Sequence, residues 1–304
     1  MINSIEQYLS FLKKNLAGYD RATIQDALSD AEEHLRTALN SATADPSISE
    51  ADALPKIIEK YGTPEEISAA YREIEHQITP ALSRVSYSEE PKKQDIKDER
   101  PFLNRFFGVF ADPRAWGAFL YLMFSLLTGI FYFTWAVTGI SLSAGLMVLI
   151  IGLPFTILFI LSVRGISLVE GRIVEALLGI RMPRRPVFYR KNKGWWVFFK
   201  SMISDKHTWL SIVYMILKLP LGVICFTVII TLVALSLYGI ASPILQFGLD
   251  IPVCNINGVS YYMANWFVPI AVIAGILLAT LTMHLAKYIG GKHGALAKAM
   301  LVRF

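Results

Sequence analysis

Between Arg164 and Lys206 the chain gathers ten Lys and Arg against three acidic residues, with a long apolar run on either side. Short connections this basic stay on the cytoplasmic side of a bilayer, so this segment sets the topology of everything around it. Before it lie Trp116–Val137 and Ala144–Val163; after it lie Trp209–Leu237 and Phe267–Ala286. Each is apolar over about 20 residues, enough for a helix to cross ~30 Å of hydrocarbon. No Lys or Arg falls between Lys218 and Lys287, whereas Lys287, Lys292, Lys298 and Arg303 follow the last run. The expectation is a cell-membrane, multi-pass protein with four spans and both termini cytoplasmic.

Residues 1–100 are of another kind. They contain no apolar run of spanning length and carry 12 Lys and Arg against 19 Asp and Glu, a net −7, while the remainder carries 17 against 5, a net +12. Because the basic residues sit beside spans, anionic headgroups are their expected partner, and direct nucleic-acid binding is not. Met1–Asp20 lacks a basic stretch followed by an apolar core and a small-residue cleavage site, so it does not read as a signal peptide. Cys225 falls inside a span and Cys254 in the loop on the far side, which excludes a mutual disulfide and leaves no metal-ligand spacing.

The first 78 residues predict a small helical domain. Ser4 and Gln7 open a helix with Ile5, Tyr8, Leu9, Leu12 and Leu16 at helical spacing, closed by Gly18. A second, longer helix carries Ile24, Ala27, Leu28, Ala31, Leu35 and Leu39 inward, with Asp26, Asp30, Glu33 and Arg36 expected on its outer face. A third helix, from Ser49 to Tyr61, ends at Gly62. Thr63-Pro64-Glu65-Glu66 then opens a fourth, with Thr63 as cap, Pro64 in the first turn and Glu66 reaching back. His34 and His76 each stand alone on charged faces and read as solvated. Tyr8-Leu9, the acidic run Asp30 to His34, Ile57 to Tyr61 and Gly62-Thr63-Pro64-Glu65-Glu66-Ile67, in this order, resemble the HAAS-type signalling domain. That resemblance implies a helical module of prokaryotic membrane proteins, often encoded beside PadR-type transcription regulators. Residues 79–100, with Pro80, Pro91 and mixed charge, read as a tether.

The membrane half, 101–304, repeats itself. At an offset of 93 residues Asp112, Trp116, Tyr121, Leu126, Gly129 and Phe133 fall on Asp205, Trp209, Tyr214, Leu219, Gly222 and Phe226. At an offset of 123, Gly152, Arg164, Gly171 and Ala176 fall on Gly275, Lys287, Gly294 and Ala299. The change of 30 residues places an insertion between the two spans of the second unit. Two spans per unit give both units one orientation, with an implied pseudo-twofold axis along the membrane normal. The expected fold class is therefore all-α, a small cytoplasmic helical domain followed by a four-transmembrane-helix domain built from two tandem two-helix repeats.

Several features bear on function. Ile166, Val169, Ile173, Leu177 and Ile180 form an apolar stripe after the second span, with Glu170 and Glu175 off it. Gly194 to Lys200 and Phe102 to Phe110 read as interfacial aromatic belts. Arg181, Arg184, Arg185, Arg190, Lys191 and Lys193 are a candidate surface for anionic lipid or for docking the acidic head, with simple topology determinants as the alternative. Lys218, in an apolar run that Lys218-Leu219-Pro220 is expected to interrupt, and its repeat counterpart Ser125 form a candidate intramembrane polar site. Lys218 snorkelling toward headgroups is the competing reading. Asn257-Gly258 between short β-prone runs signals a hairpin.

Thr138 to Leu142, Leu149 to Pro154, Arg164 and Glu170 to Arg181 resemble the putative-sensor membrane domain, which often precedes a histidine kinase. No kinase core, phosphate loop, zinc motif or nucleophile elbow is present in the sequence, so neither an enzyme nor a cofactor is expected. The leading expectation is a membrane sensor coupling its spans to a cytoplasmic partner, such as a PadR-like transcription regulator. A small transporter or lipid-handling protein is the alternative, and a homo-oligomer stays open.

Overall fold

The computed structural model describes residues 2, 4–44, 49–77, 106–148, 152–184, 200, 202–256 and 259–302. Arg185, Arg190, Lys191, Lys193, the 79–100 tether, the Gly194–Phe199 aromatics and the Asn257-Gly258 pair lie outside them.

Helices dominate. The head contains α1 (Ile5–Asn15), α2 (Arg21–Ala42), α3 (Glu50–Tyr61) and α4 (Pro64–Gln77). A single 3-10 turn, Gly108–Ala111, then leads into four long helices, α5 (Pro113–Leu146), α6 (Gly152–Leu178), α7 (Lys206–Pro243) and α8 (Val268–Leu301). A π-helical turn, Ile244–Gly248, continues α7, and a hairpin of β1 (Cys254–Ile256) and β2 (Val259–Tyr261) precedes α8. The four long helices are each long and apolar enough to cross a membrane.

The head's local signals hold. Ser4 Oγ accepts from Gln7 N at 3.1 Å, opening α1. Thr63 N donates to Glu66 Oε2 at 2.8 Å while Glu66 N donates to Thr63 Oγ1 at 3.3 Å, a complete reciprocal capping box. Gly62 between α3 and α4 has φ +114°, a conformation that a side chain would strain, and its carbonyl accepts from Tyr8 Oη at 2.9 Å. Burial pushes the Tyr8 hydroxyl well above its ordinary value, with Tyr61 the next cause. Ile5, Tyr8, Leu12, Leu16, Ala27, Ala31, Leu35, Leu54 and Ile58 form one core shared by α1, α2 and α3, with Ile67 and Tyr71 of α4 against it. His34 is exposed, as expected, although its ring stacks on Tyr61 at 4.4 Å.

The long helices exceed the apolar runs from which they were expected. Ala144 belongs to the end of α5, so the second span starts at Gly152. α6 runs without a break from its apolar start into the charged stretch that follows, and α8 does the same. Pro220 does not interrupt α7. The helix passes through it, and a proline inside a membrane helix is tolerated where neighbouring helices re-satisfy the freed backbone group. The expected hairpin is present, with Cys254 paired to Tyr261, Asn255 to Ser260 and Ile256 to Val259.

Two compact units emerge. The first comprises residues 1–89, 135–214 and 294–304, so it holds the head, the end of α5, all of α6, the start of α7 and the end of α8. The second comprises 90–134 and 215–293, with the first part of α5, most of α7, the hairpin and most of α8.

Candidate functional site

In the first unit Gly179, with φ +66°, ends α6 and turns the chain back along it. Met182 packs fully buried over Gly171, and Arg172 donates to the Arg184 carbonyl at 3.2 Å. The fold-back gathers three guanidinium groups around one carboxylate. Glu175 accepts from Arg172 at 3.3 Å, from Arg181 at 3.3 Å and from Arg184 at 2.8 Å. The surplus positive charge faces Asp26 of α2, only 6 % exposed, which accepts from Arg181 Nη2 at 3.3 Å and from the Arg184 backbone N–H at 2.7 Å. Six residues earlier, Lys298 of α8 pairs with Asp20, whose other oxygen caps α2 by accepting from Ala22 N at 2.8 Å.

Asp26 is therefore not on an outer face, as its spacing predicts. Thr23, Asp26 and Ser29, three residues apart, are all buried, and the charge is compensated by the Arg181–Arg184 segment. Charge-assisted bonds of this sort, partly shielded from water, hold position better than exposed pairs. Of the six basic residues expected to form a surface, Arg181 and Arg184 make this contact.

Two of the polar groups expected off the buried stripe of α6 are themselves buried. Val169 is exposed, while Glu170, at 1 % exposure, and Glu175 are buried. Tyr214 Oη donates to Glu170 at 2.7 Å. A helix among other membrane helices turns its apolar stripe outward and its polar groups inward, opposite to a helix of a soluble protein.

The second unit contains another polar cluster. Lys218 is 1 % exposed, so it does not snorkel. Its ammonium donates to Tyr121 Oη at 2.5 Å and stands 4.3 Å from the centre of that ring. The ring also meets His293 edge-on at 6.1 Å, and His293 Nε2 lies 3.3 Å from Cys225 Sγ. Ser125, the repeat counterpart of Lys218 and the other residue of the candidate intramembrane polar site, turns its hydroxyl onto the Leu122 carbonyl of its own helix at 2.6 Å. Its own carbonyl lies where Gly222 passes. A Cβ on Gly222 would sit 2.5 Å from it, just as a Cβ on Gly129 would sit 2.8 Å from the Lys218 carbonyl. These paired glycines let α5 and α7 touch backbone to backbone, in the manner of small-residue membrane contacts.

The repeat is legible in these contacts, each taken within its own unit. Arg164 pairs with Asp205 at 3.0 Å and with Thr208 at 2.8 Å, and its counterpart Lys287 pairs with Asp112, the counterpart of Asp205, at 2.5 Å. Trp209 Nε1 donates to the Ile203 carbonyl at 2.7 Å, and Trp116 Nε1 to that of Phe110 at 2.9 Å, both six residues back. An offset of 123 also carries Glu170 onto His293, so each tyrosine of the repeat meets the corresponding residue of the other repeat. Sequence reasoning matched Asp112, Tyr121 and Arg164 to their counterparts but missed Glu170, Glu175, Cys225 and His293 as site residues. Carrying the two offsets through the charged stretch would have found the first and the last.

Among the described residues no cluster of His, Cys, Asp and Glu could hold a metal ion. Four spans, a helical head and inward-facing polar groups define a multi-pass helical membrane protein. Residues 121–301 match the family model described as "Putative sensor", more than half the chain, and the protein belongs to that family. Residues 7–70 match the HAAS family model. No curated protein and no solved structure matches the chain. The two matches suggest a role as a membrane sensor or signalling protein.

Proposed function

We propose that the protein is a non-enzymatic cell-membrane sensor with both termini cytoplasmic, whose span bundle receives a signal and whose head delivers it to a cytoplasmic partner. The basic connection after α6 and the basic C-terminus support that orientation. The observation that carries the output step is Asp26, buried and held by Arg181 and Arg184 at the end of α6. A shift of α6 would change what Asp26 meets, so the docked and released heads are two states that a signal can bias. The partner is a signalling protein or transcription regulator of the PadR-like kind, a choice that rests on the resemblance of the head.

Co-purification tests this. Removing residues 1–78 should leave membrane insertion intact and abolish recovery of any cytoplasmic regulator, whereas Asp26→Lys should increase recovery several-fold by undocking the head. A regulator that stays bound to the truncated chain would show that the head is not the output.

A second reading, a small transporter or lipid-handling protein, is favoured by the buried Lys218. Cysteine labelling along residues 209–237 separates the two: a water path reaching position 218 favours transport, and a dry bundle favours signalling.

A further inference from the structure

The connection between α7 and α8 is where the second repeat departs from the first, since the change of offset puts 30 extra residues there. Across residues 244–267 Asp250 is the only charged residue. Large apolar side chains nevertheless point outward: Phe247, Leu249, Val259, Tyr261, Tyr262 and Trp266, the last at 72 % exposure. An exposed apolar surface of this extent is costly in water and marks a surface that something covers.

The adjoining helices show what covers it. Leu235, Leu237 and Ile240 of α7 are exposed on the way into the connection, and Phe267, Ile270 and Ile273 on the way out. Asp250 is the one charged residue between Lys218 and Lys287, so no run of charge marks a crossing from lipid into water. Several backbone groups of the connection are also bonded from within. Leu249 N bonds Ile244 O at 3.0 Å, Ile251 N bonds Leu245 O at 2.9 Å and Val253 N bonds Tyr261 O at 2.8 Å. Gln246 clamps both sides of Met263, donating to its carbonyl at 2.7 Å and accepting from its N–H at 3.1 Å. Internal pairing of this kind is what a segment needs where water is scarce, and Tyr and Trp at its rim suit the boundary between headgroups and acyl chains.

We infer that residues 244–256 and 259–267 rest in the headgroup–acyl boundary of the bilayer, as a lipid-contacting surface that binds through apolar and aromatic groups and not through charge. If the sensor reading is right, the state of that leaflet is the input. The location itself depends on no assumption about the head or its partner.

The test uses the full chain in phosphatidylcholine vesicles, with and without phosphatidylglycerol. A nitroxide is attached at Phe247→Cys or at Tyr261→Cys in a Cys225→Ala, Cys254→Ala background. Collision rates with oxygen and with a water-soluble nickel chelate are compared. Both labels should favour oxygen several-fold, with depths unchanged by phosphatidylglycerol or salt. Brominated lipid should quench the native protein more than Trp266→Phe, a check that needs no label and no cysteine removal. A nickel preference would place the connection in water, and low collision with both agents would mean that protein, such as a second copy, covers it; either result overturns the inference. A depth that tracks phosphatidylglycerol would overturn the uncharged mode of contact.

Discussion

Tyr214 and Tyr121 occupy matching positions 93 residues apart, yet their surroundings have opposite character. Tyr214 donates a hydrogen bond to the carboxylate of Glu170, whereas Tyr121 accepts one from the ammonium of Lys218 and meets the His293 ring in a T-shaped pair. Around both, the frame is the same: a tryptophan bonded to the carbonyl six residues back, a cation from one repeat on an aspartate of the other, and a glycine at the helix contact. The groups that hold the helices together match at the two offsets, and the polar groups between them differ. Where the repeats agree, the residues are structural. Where they differ, at Lys218 against Ser125 and His293 against Glu170, they are the places to look for function.

The largest effect expected from this comparison is at Lys218. Lys218→Ala removes the buried donor to the Tyr121 hydroxyl and leaves a void, for a loss on the order of 3 kcal/mol in thermal unfolding of the reconstituted protein. Tyr121→Phe should cost only about 1 kcal/mol, because the ring remains beneath the ammonium. Equal losses from the two variants would mean that the hydroxyl, and not the lysine, organises the cluster.

A smaller loss, about 1–3 kcal/mol, is expected from Gly222→Ala, whose methyl group would meet the Ser125 carbonyl at 2.5 Å, with Gly129→Ala somewhat milder at 2.8 Å. Cross-linking between α5 and α7 should report the separation directly. If both substitutions are silent, the close approach does not hold the helices together.

The smallest effect is expected at the ion pairs that the repeats share. Burial raises the Asp112 carboxyl, but the Lys287 hydrogen bond, the Arg114 backbone N–H and the two positive charges outweigh it and hold it below the ordinary carboxylate range. Because the folded value is the lower one, this group's contribution is complete above the ordinary carboxylate value and is lost as pH falls through the depressed one. Stability of the native protein against unfolding should fall with acid over that window, while Asp112→Asn should be destabilised by about 1 kcal/mol at neutral pH and lack that part of the acid response. If Asp112→Asn keeps the native acid response, the pair contributes nothing measurable.

What could be read from the chain alone is what local chemistry controls. Apolar length makes four membrane helices; Thr63, Pro64 and Glu66 start α4; two β-prone runs make the hairpin; charge divides the acidic head from the basic remainder. Even the repeat is a property of sequence, since its offsets require no coordinates. Tertiary structure decided the fate of the charges. Asp26 looks like any surface aspartate on α2 until Arg181 and Arg184, more than 150 residues away in the chain, arrive beside it. Spacing alone turned Glu170 and Glu175 away from the buried side of α6, and Lys218 could as well have snorkelled. An apolar side chain is driven out of water whatever its neighbours. A charged one is stable in water or beside a partner, and only the packed chain determines which of the two it finds.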